Sequence, residues 1–176
     1  MSLGGNLKEN NKYWKKLEKS KKKILADDFL VNQVHIASMQ TQNFANDLEK
    51  DYKFDKGTFI MIYFYIYIYM LIFSLKKDYP IEFTDWIEEE LTEAYIQSIN
   101  SEVTKNKVRD NYNRLKIRYD TIFQTNTPNP EIFAKDIINL LFNEKIDAIL
   151  NLIIFKTISS HFVYIIETIN KYKIIL

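Results

Sequence analysis

Residues 58–75 read TFIMIYFYIYIYMLIFSL, from Thr58 to Leu75 without one charged side chain. Three structures can carry such a run. In a soluble bundle it is a central helix, apolar on all sides because all sides are covered. Tyr63 and Tyr67 then share one face and Tyr65 and Tyr69 another, and each hydroxyl needs a partner or a route to water. As a membrane span it only just reaches the threshold of about 18 residues. Its tyrosines are spread through the middle, whereas tyrosine prefers the interface. As a strand it has the right alternation of tyrosines. It is too long, however, and no second run of similar quality exists to pair with it. We take the first reading. The fold expected is all-α, a single-domain helical bundle of about six to seven helices with Thr58–Leu75 as its buried central helix.

The flanks set the boundaries. Lys53 to Gly57 reads as a turn in which Gly57 is free to take a positive φ. On the other side Lys76 and Lys77 suit a helix C-terminus, and Pro80 cannot continue a helix. Upstream, 7–52 reads as helix through Tyr13, Trp14, Leu17, Ile24, Phe29 and Phe44, with Asp27-Asp28 as an alternative second start. Met1 to Asn6 read as disordered or as an added remnant. Downstream, Asp85-Trp-Ile-Glu88 resembles a capping box, which puts Glu88, Glu89 and Glu90 in a first turn. A stripe of Val108, Tyr112, Leu115, Tyr119, Ile122 and Phe123 continues that helix or follows a break near 104–106. After a loop at 124–129, Asn129 and Pro130 give a cap followed by proline at the first helical position. A break near Asn143 precedes a last helix over about 144–173.

Composition narrows the chemistry. The chain has 176 residues, ordinary for one domain, and only 3 Gly and 3 Pro, which disfavours an all-β fold with many turns. It has no Cys, so disulfides and thiolate chemistry are excluded, and its 2 His are too few for a His-based metal site. No cofactor is expected. The abundance of Ile, Lys, Asn, Tyr and Phe fits a bacterial genome rich in A and T. No apolar run follows the first residues, so no secretory leader is read and a cytoplasmic location is expected. The net charge of +1 gives no global pull toward nucleic acid, which is not favoured as a partner.

Charge is nevertheless uneven. Lys12, Lys15, Lys16, Lys19, Lys22 and Lys23 cover one side of a helix; Lys15, Lys19 and Lys22 are candidate contacts for phosphate or an anionic membrane surface. The alternative is a solvated face in a lysine-rich chain. All three arginines, Arg109, Arg114 and Arg118, fall within ten residues. Arginine's planar fork suits phosphate or carboxylate, so the three are candidate binding residues. The competing account is local pairing: Asp110 with Arg114, and Asp120 or a neighbouring helix nearby. The acidic group Asp85, Glu88, Glu89, Glu90 and Glu93 lacks the carboxylate–His pattern of a di-iron site.

Lys156-Thr-Ile-Ser-Ser-His161 resembles the Arg, polar spacer, His arrangement that the HEPN ribonucleases carry on one helix. Lys156 stands where that family has Arg, and the resemblance covers only these residues. It implies metal-independent RNA cleavage with His161 as acid or base. The competing account is a core histidine hydrogen-bonded to backbone, and we prefer it. No residues are assigned as catalytic.

The expected function is therefore non-enzymatic: a helical protein-binding module, such as an immunity-type or antitoxin-type inhibitor, with homo-oligomerisation open. Membrane association through residues 58–75 stands second and an RNA-cleaving enzyme using His161 third.

Overall fold

A computed structural model describes residues 21–99, 101–123, 128–142 and 148–175. They form β1 (Lys22–Leu25), α1 (Ala26–Glu49), α2 (Lys56–Leu75), α3 (Ile81–Gln97), α4 (Glu102–Ile122), α5 (Pro130–Leu141), α6 (Ala148–Lys171) and β2 (Tyr172–Ile175). The all-α bundle read from the sequence is thus the architecture, with six helices among the described residues.

The uncharged run is α2, and every other helix packs against it. Its side chains from Phe59 to Leu75 are buried except Ile60, Tyr69 and Phe73, which are partly so. Burying an Ile or Phe stabilises by roughly 1.5–3 kcal/mol, so this helix carries a large share of the core. Around it, α1 packs on α3, α3 on α4, and α5 on α6. Two seams remain where neighbours in this ring are only loosely joined, one between α4 and α5 and one between α1 and α6.

The tyrosine hydroxyls of α2 all meet protein. Tyr63 Oη lies 2.7 Å from Nδ1 of His161 on α6. Tyr65 donates to the Val108 carbonyl of α4 at 2.9 Å, and Tyr67 to Oε1 of Gln33 on α1 at 3.0 Å. Tyr69 packs among Tyr119, Phe123 and Phe133, with the Asp120 carboxylate facing its hydroxyl. Burial holds all four phenols well above their ordinary pKa, so they are neutral donors.

Several local expectations change. Lys22 and Lys23 are not helical: β1 pairs in parallel with β2, Lys22 beside Tyr172 and Leu25 beside Ile175. The last helix ends at Lys171 for the same reason. The sheet is tied to the turn after α2, because Ile174 N donates to Tyr79 Oη at 2.9 Å and Lys21 lies 3.7 Å from Asp78. Gly57 sits inside the first turn of α2 without a positive φ, and Asp55 is the cap, accepting from Thr58 N at 3.2 Å. The third helix starts at Ile81 behind Pro80, a turn earlier than the capping-box reading. That extra turn buries Phe83 and Thr84 and stacks Phe83 between Tyr79 and Trp86. Asp85 is then an exposed mid-helix residue, and only Glu82 is acidic in the first turn. The break before α4 falls at Ser101, whose hydroxyl accepts from Thr104 N, rather than at 104–106. The Asn129–Pro130 start holds: Asn129 Oδ1 accepts from Glu131 N at 2.9 Å. The expected break at Asn143 lies outside the described residues, as does most of the 124–129 loop.

Candidate site at the seam between α4 and α5

The seam between α4 and α5 opens over α2 as a groove of about 460 Å³. Its floor is apolar, Met61 and Ile62 from α2 and Leu115 from α4, with Leu140 of α5 exposed at its edge. Its rims are polar, with Asn111 and Arg114 on the α4 side and Asn139 on the α5 side. Stripe periodicity explains how α4 serves both. Leu115 and Tyr119 point inward and are buried, while Arg114 and Arg118, one turn apart, are exposed at the edge.

One end of the groove is closed by a fork. Arg118 donates from Nε to Asp136 Oδ2 at 2.8 Å and from Nη2 to Oδ1 at 2.6 Å. Asp136 is 6% exposed, so this pair brings a carboxylate into the bundle with both oxygens satisfied. Beneath it Tyr119 and Phe133 meet edge to face at 4.8 Å. Arg114 differs from its neighbours: among the described residues it makes no ion pair, and Asp110, its expected partner, does not reach it. An exposed guanidinium beside an apolar floor is a recognition element for a carboxylate attached to something apolar.

The three arginines are therefore split. Arg109 faces the other side of α4 and grips Glu93 of α3, with Nε at 3.2 Å and Nη2 at 2.9 Å. That hydrogen bond holds the Glu93 carboxyl below its ordinary pKa. The same α3–α4 cleft, about 390 Å³, contains buried Glu88, bonded to the Tyr112 hydroxyl and 2.7 Å from Lys116 Nζ. Two of the five acidic residues, Glu88 and Glu93, thus pair α3 with α4. Arg109 and Arg118 thus pair with neighbouring helices, one of the local pairings expected, while an Asp110–Arg114 pair is not seen among the described residues. Of the lysines, Lys22 is exposed on β1, and Lys15 and Lys19 lie outside the described residues.

Lys156 and His161 do not share a face. Five residues separate them by roughly 140° around a helix axis. Lys156 is exposed, whereas His161 turns inward to Tyr63. Its partner is a side chain, not the backbone expected. Burial lowers the His161 pKa, which favours the neutral ring in its hydrogen bond with the Tyr63 hydroxyl.

Sequence reasoning missed Asn111, a turn before Arg114 on α4, and Asp136, Asn139 and Leu140, which line the groove with Arg114 only because α5 lies beside α4. It also missed α6. Among the described residues two helices are long and apolar enough to cross a membrane, α2 with mean hydropathy 2.0 and α6 with 1.7, by length and composition alone. The α2 window is 78% buried inside the protein and that of α6 only 22%. Leu152, Ile153, Val163 and Ile166 are exposed along α6.

No protein-family model, curated protein or solved structure matches the chain.

Proposed function

We propose that this chain is a non-enzymatic helical protein-binding module that holds its partner in the groove between α4 and α5. The observation that carries this reading is Arg114, which makes no ion pair among the described residues and lines the groove with Met61, Ile62, Leu115 and the exposed Leu140. Grooves between bundle helices accept amphipathic helices, with apolar anchors on the floor and one charged contact at the rim. The partner expected is a protein with an acidic amphipathic segment. Inhibition of an effector, in the manner of an immunity protein or antitoxin, is the role this size and surface fit. Site-specific photo-crosslinking from Leu140 tests the reading. A single protein adduct should form, and Arg114→Glu should abolish it while a crosslinker at Glu49 captures nothing. Turnover of a substrate by the purified chain, with no adduct at Leu140, would overturn it.

A second reading has one observation in its favour. The exposed apolar stripe of α6 suits a bilayer surface, through α6 rather than α2. Flotation with anionic vesicles checks it: protein left in the dense fraction removes it.

A further inference from the structure

The other seam, between α1 and α6, ends against the two strands in a cavity of about 310 Å³. Gln33 lines it and is only 2% exposed. Tyr67 donates to its Oε1 at 3.0 Å, which fixes the amide and turns its Nε2 away from α2. Among the described residues the hydrogen bond of the Gln33 side chain is the one its Oε1 accepts. With its oxygen taken, the amide has its Nε2–H donors left to offer an acceptor in the cavity. Glu167 and Lys171, one turn apart on α6, line the same cavity and do not pair with each other. The Lys171 ammonium instead sits 5.5 Å over the Tyr172 ring. Phe29 and Ile36 form an apolar wall.

We propose that this cavity binds a small zwitterion carrying an apolar group, an apolar α-amino acid. Its carboxylate meets Gln33 Nε2 and Lys171, its ammonium meets Glu167, and its side chain lies on Phe29 and Ile36. The charges select among ligands. A bare anion would face Glu167 and a bare cation Lys171, whereas a zwitterion satisfies both. The volume lies at the small end of ligand pockets, too small for a macromolecular segment. The site is separate from the α4–α5 groove and stands without it.

Calorimetric titration of the full chain with L-leucine, L-methionine and L-phenylalanine tests the assignment. At least one should bind saturably. The deaminated and decarboxylated analogues of that ligand should bind at least about tenfold weaker. Gln33→Glu keeps the shape but replaces the donor, and Lys171→Met removes the exposed cation; each should weaken binding about tenfold or more. Should Gln33→Glu lose its helical circular dichroism, Lys171→Met and Glu167→Gln decide, since both positions are exposed. The proposal fails if none of the three binds below about 10 mM, if an analogue binds equally well, or if binding survives the α6 substitutions.

Discussion

Two helices of this protein have nearly the same hydropathy and opposite fates. The central helix α2 is covered by five neighbours, while α6 turns one side to the core and the other outward. Composition does not separate them; the placement of polar groups does. In α2 the only polar side chains apart from its ends are tyrosines and Ser74, and each can reach a partner over a neighbouring helix or its own backbone. In α6, Lys156, Ser160, Glu167 and Asn170 interrupt one side, at positions that keep that side exposed. A helix becomes central when its polar atoms can be satisfied by protein in every direction. It stays peripheral when even one side carries groups that need water.

The sharpest way to break this comparison is truncation. Ile66→Ala in α2 is expected to cost about 2–5 kcal/mol in urea unfolding, and Leu152→Ala on the outer side of α6 no more than about 0.5. Equal losses would mean that something covers α6. Next, Asp136→Ala removes the buried half of the fork at the groove's closed end. Arg118 is about half exposed and can hydrate, so the expected loss is about 1–2 kcal/mol, not the full penalty of an orphaned buried charge. Tyr67→Phe should cost about 1 kcal/mol by leaving the Gln33 oxygen unmet, whereas Tyr164→Phe on exposed α6 should leave the urea midpoint unchanged.

The smallest effect is one of pH. Burial depresses the folded-state pKa of His161 below the ordinary 6.5, so the unfolded chain binds a proton that the folded chain refuses. His161 therefore makes no demand at pH 7.5. Stability falls as pH drops below about 6.5 and stops falling once the folded ring protonates as well. Urea midpoints between pH 7.5 and 5 should show this slope, and His161→Gln should flatten it. An unchanged slope would place the titration elsewhere.

Much of this architecture was legible beforehand, where a single segment decided the matter. The absence of charge from Thr58 to Leu75, the Asn129–Pro130 start and the inward stripe through Leu115 and Tyr119 are local patterns, and the structure keeps them. What escaped depended on two segments at once. Lys22–Leu25 and Tyr172–Ile175 each extend a helical pattern, and only their meeting makes them strands. Pro80 was read as an end because proline stops helices; it also begins one here, since Phe83 gains a buried place beside Tyr79. The candidate groove was half visible. Three clustered arginines pointed to α4, but which of them would stay unpaired depended on Glu93 and Asp136, supplied by other helices.

That small parallel sheet has a consequence for synthesis. Lys22 pairs with Tyr172, and 172 − 22 gives a separation of 150 residues. At 5–20 residues per second, β1 is synthesised about 8–30 s before its partner strand. The helices between them can assemble in that interval from local contacts. The first strand stays an open edge until the last one arrives, so the sheet is a closing stitch, made after the bundle it fastens.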